Sequence, residues 1–245
     1  MFSFFRKNVS APTDFSFLAT DFHSHLIPGI DDGSKSVEDS VNMIRGLQEI
    51  GFSKIITTPH ILGDHYPNTP EIIRAGLEKV KKGLEAAKID LSIEVAAEYF
   101  LDDYFENLLK TDVELLSFGK QYILVEFSTF TPPNNAFDLI FQLKTRGYRP
   151  ILAHPERYIY YTKQFDQLEK LKNAGCLFQV NLLSLTKHYG DAQKKLGIRL
   201  LKAGMVDFLA SDLHRMGHLK QLEKVFKDRT VRKLLERTTF RNKEL

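Results

Sequence analysis

Tryptophan is absent from this 245-residue sequence, and cysteine occurs once, at Cys176. A single thiol excludes an internal disulfide and any zinc site built from cysteines, and it fits a reducing compartment. Long hydrophobic runs are also missing. Nothing approaches the roughly 20 apolar residues of a membrane span. The opening MFSFFRK lacks the apolar core of about 7–15 residues that a secretory signal needs. A cytoplasmic location is the expectation. The net charge of +3 and a pI near 8.8 are too weakly basic to argue for nucleic-acid binding. There is no Gly-x-x-x-x-Gly-Lys loop for a nucleotide, no internal repeat and no linker-like tract.

What remains is an ordinary globular composition, 43% apolar and 27% charged, long enough for one substantial core. Residues 1–18 read as an N-terminal extension, in which Phe2, Phe4 and Phe5 beside Arg6 and Lys7 are expected to pack on the domain rather than on a membrane. Residues 19–245 read as one domain. Short β-branched or aromatic runs alternate with longer amphipathic ones, the signature of βα units. A first strand is expected to lead into His23, with others at 54–58, 91–97, 122–125, 150–153, 177–180 and 206–210. Helices are expected at 37–50, 70–87, 102–109, 135–145, 164–174, 191–203 and 218–235. Ser36 or Ser34 is placed as the N-cap of the first helix and Thr69 as that of the second. Cys176 reads as an inert small residue of the sixth strand.

The polar residues follow this frame. His23 and His25 follow the first strand, one residue apart, so both rings can face one point. His60, Glu98, Glu126, His154, Asn181 and the pair Asp212/His214 fall at or just past the C-terminal ends of the other six strands. In parallel α/β barrels that end carries the active site. Asp31 and Asp32 follow in a Pro/Gly-bearing loop that can fold back. Neutral imidazole and carboxylate suit Zn, Mn, Fe and related divalent ions. Five histidines and several carboxylates on one rim exceed what one tetrahedral ion needs, so two or three ions fit better. Arg157, three residues after His154, offers a fork for phosphate oxygens. Metal-assisted phosphate ester hydrolysis is therefore the first reading. Cysteine-nucleophile chemistry is excluded, because the residue at its arginine spacing from Cys176 is Leu182.

The His-x-His, Thr58-Pro-His60, Glu98, His154-Pro-Glu-Arg157 and Ser211-Asp-x-His214 motifs resemble the polymerase-and-histidinol-phosphatase (PHP) superfamily. Within it, HSHLIPGIDDGS at 23–34, AEYF at 97–100, VEF at 125–127 and HPERY at 154–158 resemble the manganese-dependent bacterial protein-tyrosine phosphatases of the CpsB/YwqE type. The match spans about residues 20–215. The resemblance implies an α/β fold, a single-domain distorted (β/α)7 barrel, with the metal site at the C-terminal ends of the strands. It implies one ion on His23, His25, Glu98 and Asp212, a second on Glu98, Glu126 and His154, and a third on Asp32, His60 and His214. Manganese is the implied metal, with Fe, Co or Zn as alternatives, and Asp31 orients a neighbour.

The implied catalytic residues are His154, Arg157 and Asp212, with attack by a metal-bridging hydroxide and no phosphoenzyme. Arg157 binds phosphate. Leu219 stands near where a second family arginine is expected, so Arg215 or His218 is the candidate replacement, and Asn181 is a further candidate substrate contact. Tyr99, Tyr158, Tyr160 and Tyr161 are candidates for stacking on a phosphotyrosine ring at the rim, with packing the expected role of any one of them. His65 and His188 fall outside the strand-end pattern. The implied substrate is a phosphotyrosine protein, the Tyr-bearing tail of a bacterial tyrosine kinase controlling capsule or exopolysaccharide synthesis. An oligomer is left open. Two rivals stand: a histidinol-phosphate or other small-monoester phosphatase of the same superfamily, and a catalytically silent metal-binding module that docks on a kinase.

Overall fold

A computed structural model describes residues 12–111 and 113–245. The Phe-rich stretch from Phe2 to Lys7 lies outside the described residues. The elements alternate as expected, all strand pairings being parallel. Three strands, β1 (Thr20–Asp21), β2 (Lys54–Thr57) and β4 (Ser92–Val95), form one sheet in the order β1-β2-β4. A second sheet runs β3-β5-β6-β7-β8-β9. Its members are β3 (His60–Ile61), β5 (Glu98–Phe100), β6 (Tyr122–Glu126), β7 (Arg149–Ala153), β8 (Leu177–Asn181) and β9 (Phe208–Ala210).

Two expected strands, 54–58 and 91–97, are each followed by a further short strand. Pro59, which has no N–H to give to a ladder, separates β2 from β3. Opposite it, Ala96–Ala97 separates β4 from β5. Hydrogen bonds from Ala96 N to Thr57 O and from Glu98 N to Pro59 O carry the contact across the break. No closed sheet forms among the described residues. Between β9 and β1 a bridge pairs Ser24 with Leu213, with Asp212 N bonded to His23 O at 2.8 Å and His25 N to Leu213 O at 2.9 Å. Below it, Asp21 accepts from both the N–H and the hydroxyl of Ser211 at 2.7 and 2.8 Å. Burial raises the pKa of the Asp21 carboxyl to about 6 against these bonds. At the bottom of the seam, Asn242 donates to Thr20 O and Leu209 O and accepts from Leu209 N.

The helices lie where hydrophobic periodicity puts them. Ser36 caps α1 (Val37–Glu49) by accepting from Asp39 N, and Val41, Ile44 and Leu47 bury its inner face. Thr69 caps α2 (Pro70–Ala86), with Pro70 in the first turn where its missing N–H costs nothing. Asp102 caps α3 (Asp103–Lys110). Three more helices follow their strands: α4 (Ala136–Thr145), α5 (Phe165–Asn173) and α6 (Asp191–Lys202). The single helix expected at 218–235 is instead α7 (Met216–Leu222), a 3-10 turn (Glu223–Lys227) and α8 (Arg229–Arg237). The break lies at Asp228, whose extended backbone lets its carboxylate accept from Thr230 N and Val231 N and cap α8. Within the expected extension, Phe15 and Leu18 are buried in the main core, and Phe15 stacks on Phe52.

Candidate metal centre

The strand ends bring all nine expected metal ligands together. Glu98 is at the centre. It pairs with His60 across the β3–β5 register, and its Oε2 lies 3.1 Å from His23 Nε2, 3.2 Å from His60 Nδ1 and 3.4 Å from His25 Nε2. Its other oxygen is 3.2 Å from His154 Nε2, which is also 3.5 Å from Glu126. Asp212 Oδ1 is 3.4 Å from His23 and 3.6 Å from His25. At the open side, Asp32 Oδ1 lies 3.3 Å from His214 Nε2 and 3.6 Å from His60 Nε2. His154 (φ 32°) and Asp212 (φ 52°) both hold left-handed backbone, a conformation side-chain-bearing residues adopt only with strain. Each turns the chain sharply at the end of its strand.

The loop after His25 folds back as its composition suggested. Ser34 N bonds to His25 O, and Gly29 N to Ser34 O. A Cβ on Gly33 would sit 2.2 Å from His25 O, so only glycine allows this approach. Asp31 is held inside the loop. Its Oδ2 accepts from His25 Nδ1 at 2.8 Å and His60 N at 3.1 Å, and its Oδ1 from Gly33 N at 3.0 Å.

The cluster fits divalent metal. Nε2 of His23 and His25, Nδ1 of His60 and both oxygens of Glu98 are buried without a hydrogen-bond partner, a costly arrangement unless something else coordinates them. Four overlapping groups of three or four His, Asp and Glu residues have ligand atoms within 4.8 Å of one another. Charge supports the same reading. Burial pulls His23 down, but Glu98 and Asp212 outweigh it and hold it at about 9. Burial and the neighbouring Arg157 bring His154 down to about 4. Burial, reinforced by Glu98, pushes Glu126 well above the carboxylate range. Burial acts on Glu98 too, but His23 and His60 keep it well below that range. Glu126 is therefore the carboxylate that calls for positive charge beyond what the histidines carry, as a proton or as a cation.

Above the cluster opens a cavity of about 440 Å³. Arg157 stands on its wall with its guanidinium 4.8 Å from the centre of the Tyr189 ring, and Nη1 donates to Asp212 Oδ2 at 3.2 Å. Arg215 lines the same wall and donates through Nε to His218 Nε2 at 3.1 Å. His188, outside the strand-end pattern, also lines the cavity, whereas His65 is exposed away from it. Thr129 and Tyr189 were not singled out by sequence. Both sit in loops following strands, and only position in the fold marks them.

The candidate substrate contact Asn181 lies elsewhere, and three of the four tyrosines pack as expected. Asn181 has no exposed surface and its amide is engaged at both ends, so it offers nothing to the cavity. Tyr99, Tyr158 and Tyr161 are core residues; the Tyr99 hydroxyl accepts from Leu116 N and that of Tyr158 from Phe127 N. Tyr160 is partly exposed and donates to Ser128 O.

Comparison with known proteins finds relatives that cover most of the chain. CapC of Staphylococcus aureus is 30% identical over 218 residues, covering 88% of this chain and 85% of CapC. The tyrosine-protein phosphatase YwqE of Bacillus subtilis is 32% identical over 196 residues, covering 80% and 77%. Among solved structures, the crystal structures of YwqE from Bacillus subtilis and CpsB from Streptococcus pneumoniae, described as metal-dependent tyrosine phosphatases, include one with a TM-score of 0.75. It is 30% identical, with 90% of this chain and 96% of that one covered. The model of the family of capsular polysaccharide synthesis proteins CpsB/CapC matches residues 19–244, and the chain belongs to that family.

Proposed function

We propose that this chain is a metal-dependent protein-tyrosine phosphatase acting in the cytoplasm on a phosphotyrosine protein, the Tyr-bearing tail of a capsule- or exopolysaccharide-controlling tyrosine kinase. The carrying observation is the set of buried, hydrogen-bond-free His and Glu atoms at the floor of a cavity walled by Arg157. We read the two sheets, joined across their breaks and along the β1–β9 seam, as a distorted seven-stranded barrel within a domain of residues 19–245. Its fit to manganese, at two or three ions, rests on hard and borderline N/O donors without thiolate. His23, His25, Glu98 and Asp212 would hold one ion, Glu98, Glu126 and His154 a second, and Asp32, His60 and His214 a third.

Divalent metal, when bound, supplies Lewis-acid charge and lowers the pKa of water from 15.7 to about 7. The protein's own groups do the rest. Arg157 presents two parallel N–H donors to phosphate oxygens, its plane fixed by Tyr189 and by Asp212. Arg215, steadied by His218, is the second cationic donor on the wall, in place of an arginine at Leu219. The leaving phenol has a pKa near 10, so it departs without the full protonation an alkoxide requires.

The test is hydrolysis of a phosphotyrosine peptide beside histidinol phosphate, after chelation and re-addition of Mn2+, Fe2+, Co2+ or Zn2+. Metal-restored turnover of the peptide is expected, falling roughly 100-fold or more in His154→Ala and in Arg157→Ala. Turnover of histidinol phosphate alone would reassign the substrate. Metal binding without turnover of either would favour a docking module.

A further inference from the structure

Strand β8 contributes no expected metal ligand, yet it lies between β7 and β9 in the parallel sheet and carries two amides that share a face. Gln179 and Asn181 are two residues apart in an otherwise apolar strand, so both point the same way. Both are fully buried. Gln179 Oε1 accepts from His23 Nδ1 at 2.9 Å and from the backbone N–H of His154 at 3.3 Å. Gln179 Nε2 donates to Asn181 Oδ1 at 2.8 Å, and Asn181 Nδ2 donates to Asp212 Oδ2 at 2.6 Å.

The direction of this chain of bonds is not arbitrary. A backbone N–H can only donate, so the Gln179 atom facing His154 is the oxygen. That puts the Gln179 amide nitrogen toward Asn181 and the Asn181 nitrogen toward Asp212. It also requires a proton on His23 Nδ1, because an amide oxygen donates nothing. In the neutral ring, the lone pair of His23 is then on Nε2, the atom that is buried without a hydrogen bond beside Glu98 and Asp212. At the other end, Asn181 occupies Asp212 Oδ2 together with Arg157, leaving Oδ1 as the oxygen that faces His23 and His25. Asn181 is itself held by its backbone N–H, which donates to buried Glu156 at 3.0 Å.

We infer that Gln179 and Asn181 are positioning residues that set the tautomer of His23 and the orientation of Asp212 for metal binding. They act through these ligands and touch neither metal nor substrate. Hydrogen bonds behind metal ligands typically carry a 10–100-fold effect on affinity, and here one amide pair serves ligands from the first and last strands at once. The inference rests on the metal-centre reading given above.

The experiment is isothermal titration of Mn2+ into chelator-stripped full-length protein, with the metal-free Tm recorded for each variant to read folding separately. Gln179→Met, close in shape but without the accepting oxygen, is expected to weaken the tightest Mn2+ site about 10–100-fold with little change in metal-free Tm. Gln179→Glu keeps an acceptor for His23 and His154 N, and it is expected to bind more tightly than Gln179→Met. Asn181→Asp removes the donor to Asp212 and is expected to weaken binding about tenfold or more. Equal affinity in Gln179→Met and the parent, or equal losses in Gln179→Met and Gln179→Glu, would overturn the assignment. If Gln179→Met fails to fold, Asn181→Asp decides, and parent-like binding there overturns it. A parent that binds no Mn2+, Fe2+, Co2+ or Zn2+ would instead remove the metal-centre reading itself.

Discussion

His25 and Asp31 form a buried pair in which the imidazole Nδ1 meets the carboxylate at 2.8 Å while Nε2 faces Glu98 at 3.4 Å. Asp31 is six residues away in sequence, within the folded-back loop, and it gathers two backbone N–H groups besides the ring. A carboxylate behind a ligating histidine fixes the ring and raises its basicity.

Asp31→Ala is therefore expected to lower divalent-metal affinity about 10–100-fold, read by titration calorimetry. Asp31→Asn is expected to fall between the two, since one amide oxygen cannot replace both carboxylate oxygens. Unchanged affinity in Asp31→Ala would show that the loop holds His25 without it.

Metal binding is expected to raise thermal stability, because the unfolded chain has no comparable constellation. At metal 100-fold above Kd the gain is about 2.7 kcal/mol. For a chain of this size that is a Tm increase of roughly 5–10 °C, reversed by chelation and measured by scanning fluorimetry. A Tm indifferent to Mn2+, Fe2+, Co2+ and Zn2+ would count against a folded ligand set.

Asn242 lies at the opposite end of the β1–β9 seam from the cavity. Asn242→Ala leaves two carbonyls and one N–H buried without their partner, a loss of about 3 kcal/mol by the usual cost of unpaired groups. Denaturant unfolding is expected to reveal it, while phosphatase turnover per folded molecule stays near parent level. A parent-like midpoint would show the seam to be held by other contacts.

Burial pushes the Cys176 thiol up to about 12. Thiolate is the reactive form, so at pH 8 the native protein presents very little of it, and reactivity climbs with pH. Native protein is expected to be inert to a disulfide reagent at pH 8, and urea-unfolded protein to titrate as one thiol. Fast native labelling would contradict the buried placement.

Much of the site was legible because strand ends and ligand chemistry coincide. Apolar runs closing on His60, Glu98, Glu126 and His154 needed only the βα pattern to be placed on one rim. Other features depend on packing that a linear pattern does not carry. Tyr158 and Tyr99 look the same as rim aromatics until their hydroxyls are found capping buried N–H groups of neighbouring segments. Asn181 sits at a strand end like the ligands, but its amide turns inward because Gln179 and Asp212 both claim it. Gln179 itself had a faint signal, a polar residue inside an apolar strand sharing a face with Asn181. The stop at Pro59 was written in residue type as a missing N–H and was legible, whereas the break at Asp228, marked by a capping carboxylate, was obscured by the helix-favouring residues that flank it.

The left-handed backbone at His154 and Asp212 bears on how such a sequence can change over time. Glycine at either position would relax the backbone and favour the folded state locally, while discarding a side chain at the floor of the cavity. A lineage selected only for durability would drift toward glycine at these two positions, and one selected for chemistry would be kept from doing so.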